Sequence, residues 1–229
     1  KLLRNKDLTI ENIPLTLISA VEQSNYKYDR NGKIVSLSLF SSKKTSINER
    51  HKKYLPLTEK YSKEYGVASA LLLAIIRVES AFNPLAKSHI PAYGLMQIRP
   101  IFYNEVNGSS ISNHVEELYK PDTNIRVGAA YLSKLKYLYL EDIEDLNKKQ
   151  LTMIASYHGG FNSIMKSMNE NSLKSTTKKI NEISFEEYYH TLVENLPYDE
   201  TINYIEKVWD RFEYYQEQLK VSTSLDIER

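Results

Sequence analysis

The sequence predicts a mainly α protein with a small β-containing appendage at its N-terminus, and three observations carry that expectation. From about residue 49 onward the pattern is helical; Ile202, Ile205, Val208, Trp209 and Phe212, for instance, recur at three- and four-residue spacings, the stripe of a packed amphipathic helix. The run Val67-Ala68-Ser69-Ala70-Leu71-Leu72-Leu73-Ala74-Ile75-Ile76 is broken only by Ser69 and has no polar face, so it reads as a helix buried on nearly all sides. Nearer the N-terminus, residues 26–30 and 33–40 flank Asn31-Gly32, the strongest short-range sign of a hairpin with a type I′ turn.

In chain order, the hairpin comes first, followed by the polar stretch Ser41-Ser42-Lys43-Lys44-Thr45-Ser46, which reads as a linker. This sets a boundary near residue 47, with a β-containing region and linker at 1–46 and a helical domain at 47–229. Helices are expected over 49–65, 67–80, 124–140, 149–157, 161–168, 184–195 and 200–219, with most of the Gly and Pro in the connections. Trp209 reads as core. No internal repeat or low-complexity tract interrupts this order.

A chain of 229 residues suits one medium domain plus a small appendage, and 41% hydrophobic with 26% charged residues is ordinary for a globular protein. Thirty basic residues against 29 acidic ones leave a net charge of +1, which gives no global electrostatic case for nucleic acid. Lys43-Lys44 and Lys52-Lys53 are short and read as solvated surface. With no cysteine, a disulfide framework and a thiolate metal site are both excluded. The histidines at 51, 89, 114, 158 and 190 show no ligand spacing and read as surface or loop positions, so neither metal nor cofactor is expected. No apolar run reaches the roughly 18 residues of a membrane span. The N-terminus lacks a signal-peptide hydrophobic region, and a chain beginning at Lys1 reads as a mature or trimmed product.

Glu79 is the only carboxylate between Tyr65 and Asn104, and it stands at the end of the apolar run. A helix that delivers a lone acid from such a run desolvates it, which favours the neutral form and raises its pKa, as a general acid requires. The plainer reading is a helix-end carboxylate paired with Arg77 or a neighbour. The spacing that follows decides between them: Ser88 lies nine residues after Glu79 and Gln97 eighteen after it, with Pro84 and Pro91 punctuating the loop.

Glu79-Ser80, Asn83-Pro84, Ser88 and Gly94-Leu95-Met96-Gln97 together resemble the catalytic segment of the lytic transglycosylases related to goose-type lysozyme, enzymes that cleave the peptidoglycan glycan strand. Asn124-Ile125-Arg126-Val127-Gly128-Ala129-Ala130-Tyr131-Leu132 is similar to the family's second motif, whose small residues let its helix approach the catalytic helix closely. Ala155-Ser156-Tyr157-His158-Gly159-Gly160 resembles the third, and Leu196-Pro197-Tyr198-Asp199-Glu200-Thr201-Ile202-Asn203-Tyr204 the last. The likeness covers about residues 50–218 and, through His51-Lys52-Lys53-Tyr54-Leu55-Pro56, points to the membrane-bound murein lytic transglycosylase C type. His158 departs from the family's usual asparagine and brings a group that charges near neutral pH, a change that bears on pH dependence or loop geometry. Ile202 stands where some relatives carry arginine, which removes a polar clamp.

The resemblance implies a lysozyme-like helical catalytic domain and non-hydrolytic cleavage of the MurNAc-β-1,4-GlcNAc bond. Glu79 would protonate the linking oxygen and then accept the proton of the muramoyl C6 hydroxyl, leaving a 1,6-anhydro ring. Ordinary glycosidases use two carboxylates, whereas a nucleophile supplied by the substrate needs only one. By the same resemblance Ser88, Met96 and Gln97 line the cleft, and Ser88 and Gln97 hydrogen-bond the sugar or the acid. Tyr93 stacks on a sugar ring, Tyr157 hydrogen-bonds the acid or the sugar, and Glu200 and Tyr204 join the binding positions. Glu200 equally suits a structural place, since acidic residues are favoured at helix starts. The implied partners are peptidoglycan glycan strands and no nucleic acid. A secretion or cell-wall machinery is a candidate associate, and any membrane anchoring lies outside this chain. The implied location is the periplasm or cell envelope, at the outer membrane in that type. A hydrolytic goose-type muramidase and a catalytically idle peptidoglycan-binding module are the alternatives, separable by product mass and by turnover.

Overall fold

The computed structural model describes residues 25–28, 34–38, 49–108 and 115–227, with side chains over 49–108 and 115–220. The chain divides into two compact units, Lys1–Glu49 and Arg50–Arg229. In the first, β1 (Asn25–Tyr28) pairs antiparallel with β2 (Ile34–Ser38) in the register Asn25↔Ser38, Tyr26↔Leu37, Lys27↔Ser36, with an irregularity at Tyr28. The expected hairpin is present as this strand pair; its Asn31-Gly32 turn and the linker at 41–46 lie outside the described residues.

In the second unit a 3-10 turn, Arg50–Lys53, leads into α1 (Leu55–Tyr65). Pro56 sits in the first turn of α1, where its missing N–H would have no partner anyway, and Gly66 ends the helix at φ 66°, a left-handed conformation that glycine adopts without strain. Next comes α2 (Ser69–Ser80), and every residue from Ala70 to Ile76 is buried, as a run without a polar face requires. Burial of each large aliphatic side chain contributes about 1.5–3 kcal/mol, so this run anchors the unit. After α3 (Pro100–Asn107) and a 3-10 turn at Val115–Tyr119, α4 (Pro121–Lys134) continues into a π-helical segment, Leu135–Tyr139. The remaining helices are α5 (Leu146–Gly159), α6 (Phe161–Ser167), α7 (Leu173–Glu182), α8 (Phe185–Asn195) and α9 (Asp199–Ile227).

α7 goes beyond the sequence expectation because its inward stripe is built from threonines. Thr176, Thr177 and Ile180 are buried, and both threonine hydroxyls donate to carbonyls of their own helix, at Ser172 and Lys174, so only methyl groups face the core. α5 begins three residues earlier than its expected span of 149–157. Asp145 caps it by accepting from the Lys148 N–H at 2.8 Å, and the buried Lys148 ammonium donates to the Ile180 and Ile183 carbonyls at the end of α7. α3, also unanticipated, starts on Pro100 and stops at Gly108, φ 65°. Trp209 is core-associated as expected, packing between Phe185 and Phe212, with its indole N–H donated to Glu213.

α2 packs most extensively on α9, and α5 packs on α9 as well. The end of α2, the end of α5 and the start of α9 therefore converge, and the site lies there.

Candidate active site

Glu79 is the next-to-last residue of α2. It lines a cavity of about 590 Å³ with Val78, His158, Glu200, Asn203, Tyr204 and Lys207. Burial pushes the Glu79 carboxyl up to about 7, against a smaller opposing pull from the Tyr204 hydroxyl. An acid poised near neutrality can both give and take a proton. Arg77 is not among the groups that act on Glu79, which removes the paired-carboxylate reading. Its own guanidinium is half-buried beside Arg50, Arg211, Tyr214 and Tyr215, with Nη1 lacking any partner.

The Tyr204 hydroxyl is buried and no group meets it at full hydrogen-bond geometry. It nevertheless lies close enough to the Glu79 carboxyl to favour the charged form. The contact is a loose one, and contacts of this kind commonly tighten only around bound substrate. The His158 ring stacks on Tyr204 at 4.5 Å, and its Nδ1 shares a hydrogen bond with the Thr201 hydroxyl at 3.2 Å. Burial holds the imidazole below the ordinary histidine range, with Glu200 opposing. His158 is exposed, as expected of it, and the surface it presents is a wall of the cavity. Tyr157 lies behind Glu79: it is buried, feels the Glu79 charge, and donates its hydroxyl proton to the Met96 carbonyl at 2.8 Å.

The backbone leaving Glu79 is unusual. Ala81 and Phe82 have φ of 50° and 65°, conformations that non-glycine residues avoid at a cost of about 1 kcal/mol or more each. Three features hold them. Arg50 donates to the Ala81 carbonyl, the Phe82 ring lies between Tyr54 and Tyr215, and the Ser80 hydroxyl donates to the Leu95 carbonyl at 2.8 Å. Gln97, φ 48°, is a third such residue near the site.

Of the residues expected at the site, Glu79, Glu200 and Tyr204 share the cavity, with Tyr157 directly behind. Ser88, Tyr93, Met96 and Gln97 do not line it. Ser88 is exposed, its hydroxyl donated to the Ile90 carbonyl. The Gln97 amide donates to the Gly94 and Ala86 carbonyls, bracing its own loop. Tyr93 is buried edge-on against Tyr119. The Met96 side chain is wholly buried against Gly128, where an added Cβ would lie 2.3 Å from its sulfur. The close approach expected of Gly128 is thus made by Met96. The sequence reading missed Asn124, whose buried amide donates to the Tyr93 and Leu118 carbonyls and whose oxygen accepts from the Met96 N–H at 2.8 Å. It also missed Asn203 and Lys207, although their spacing from Glu200 on α9 was a usable signal. Among the described residues no group of three or more His, Asp or Glu is gathered that could hold a metal ion.

The family described as "Transglycosylase SLT domain" matches residues 56–180, a span that takes in Glu79, the Gly94–Gln97 turn, α4 and Tyr157. The chain belongs to the transglycosylase SLT domain family. Two relatives named membrane-bound lytic murein transglycosylase C are similar to it. That of Photorhabdus laumondii is 35% identical over 168 residues, 71% of this chain and 46% of the relative. That of Haemophilus ducreyi is 33% identical over 185 residues, 78% of this chain and 50% of the relative. The chain therefore spans about half the length of the relatives it matches. Among solved SLT structures, an inactive mutant of the lytic transglycosylase Slt from Pseudomonas aeruginosa superposes with a TM-score of 0.56 at 27% identity, covering 72% of this chain and 24% of that one. The mainly α, lysozyme-like architecture expected from sequence is the one found. No helix among the described residues is long and apolar enough to cross a membrane.

Proposed function

We propose that this SLT-family chain is a peptidoglycan lytic transglycosylase that breaks the MurNAc-β-1,4-GlcNAc bond without water, with Glu79 as its single acid and base. The observation that carries the reading is the state of Glu79: one carboxyl at the end of a buried helix, opening on a cavity, with burial pushing it up to about 7. Protonated Glu79 gives its proton to the glycosidic oxygen as the C1–O4 bond breaks. The carboxylate so formed takes the proton of the C6 hydroxyl as O6 bonds to C1, which closes the 1,6-anhydro ring and returns the acid. Tyr204 is placed to stabilise the carboxylate between the two transfers, and Glu200, Asn203 and Lys207 offer polar contacts to the sugars. Ser88, Tyr93, Met96, Gln97 and Tyr157 serve the site by shaping the loop and backing beside it, with Ser88 and Gln97 available to sugar only if their present bonds are exchanged.

The names of the relatives support a cell-envelope setting with glycan strands as partner. On this reading the catalytic part is 47–229, and 1–46 is a separate β-containing region. One observation favours a hydrolytic alternative: Glu200 places a second carboxylate on the same cavity, and an acid with a second carboxylate is the arrangement that activates water.

Mass spectrometry of purified peptidoglycan digested by the protein, in parallel with Glu79→Gln, tests the proposal. Anhydromuramoyl ends from the parent alone are the expected result. Reducing ends, heavier by one water, would move the assignment to a muramidase. Absence of product from both would leave a binding module.

A further inference from the structure

His158 is the wall of the Glu79 cavity contributed by α5, and it is where this chain departs from the asparagine of the family resemblance. Its ring lies on Tyr204 with centroids 4.5 Å apart and planes 25° from parallel, and its Nδ1 meets the Thr201 hydroxyl at 3.2 Å. Thr201 and Tyr204 are three residues apart on α9, so one side chain holds the start of that helix at two points. At the far end of the Tyr204 ring the hydroxyl is buried and without a partner of its own, a costly state for a donor unless one is formed at another stage. The acceptor within its reach is the Glu79 carboxyl.

We propose that His158 is a positioning residue: stacked on Tyr204 and bonded to Thr201, it aims the Tyr204 hydroxyl at Glu79, to be donated to the carboxylate that appears once the acid has given up its proton. The proposal rests on Glu79 being the acid and base of the reaction. The protonated acid has little use for the donor and the carboxylate has much, so the hydrogen bond strengthens as the reaction proceeds, where it accelerates the chemical step. His158 shares the cavity lining with Glu79 from α2 and with Glu200, Tyr204 and Lys207 from α9, and of the charged groups it is Glu200 that acts on it; no charged side chain of α6 or α8 lines the cavity. Since burial weakens its hold on a second proton, the ring works neutral at pH 7.

The test is steady-state turnover of soluble glycan strands over about pH 4 to 9 for the parent, His158→Ala, His158→Phe and Glu79→Gln, each with a thermal melt. His158→Ala is expected to lower kcat about tenfold with KM within about twofold. His158→Phe, which keeps the stack, is expected to recover most of kcat at neutral pH. Parent-like kcat in His158→Ala would overturn the proposal, as would losses that merely follow a fall in the melting temperature. Turnover by Glu79→Gln would instead overturn the reading of the acid.

Discussion

The body of α2 and its last turn belong to one helix and follow opposite rules. From Ala70 to Ile76 every side chain is sealed in the core. From Arg77 to Ser80 the side chains are half-buried and include two ionisable groups without full partners: Arg77, with a bare Nη1, and Glu79, held near pKa 7. The contrast shows how an uncomfortable acid is kept in place. The apolar turns are rigid and strongly favoured, so the helix end they project can bear a desolvated carboxyl and the left-handed backbone of Ala81 and Phe82. Core packing and the poised carboxyl thereby fall to different turns of the same element.

Substitutions on either side of that divide should separate the two properties. Glu79→Gln is expected to cut turnover about a thousandfold with the fold intact, measured as kcat on glycan strands beside a far-ultraviolet spectrum, because an amide cannot donate the proton. Leu72→Ala, in the sealed turns, is expected to cost about 3 kcal/mol in urea unfolding while the specific activity of the folded fraction stays at the parent value. If activity fell in proportion instead, the two halves of the helix would not be separable. Asn124→Ala carries the contrast onto the loop: it strips the Tyr93 and Leu118 carbonyls and the Met96 N–H of one shared partner. A stability loss of about 2–3 kcal/mol, together with a raised KM, is expected.

Glu79 itself should pull against stability. Its pKa in the fold, about 7, lies above the ordinary 4.5, so folding binds the proton more tightly than the unfolded chain does. That contribution is complete below the ordinary value and is lost as pH rises through about 7, so Glu79→Gln is expected to be more stable than the parent by about 3 kcal/mol near pH 8 and equal to it near pH 4. Equal denaturation midpoints at both pH values would show the acid to be more solvated than its surroundings indicate. The smallest effect sharpens the comparison from outside the site: Lys60→Ala removes an exposed ion pair with Asp122 and is expected to leave the urea unfolding midpoint at the parent value.

Much of this was legible in the chain because the signals were local. The polar-faceless run at 67–76, the Asn31-Gly32 hairpin sign and the isolation of Glu79 each depend on neighbouring residues alone. α7 escaped because threonine methyls stood in for aliphatic side chains, and the buried Lys148 because its partners, the carbonyls of Ile180 and Ile183, lie more than thirty residues away.

What the sequence determined by itself was the family, the helical class and the isolation of one carboxyl at the end of an apolar run, since ordered motifs and apolar periodicity survive in one dimension. Only the tertiary structure decided which motif residues share the cavity with Glu79. It set Glu200, Tyr204 and His158 on the walls and turned Met96 and Tyr93 inward. The reason is physical: a side chain's access to a cavity depends on which helices converge there and on which face each turns inward, and that follows from the packing of α2, α5 and α9 on one another.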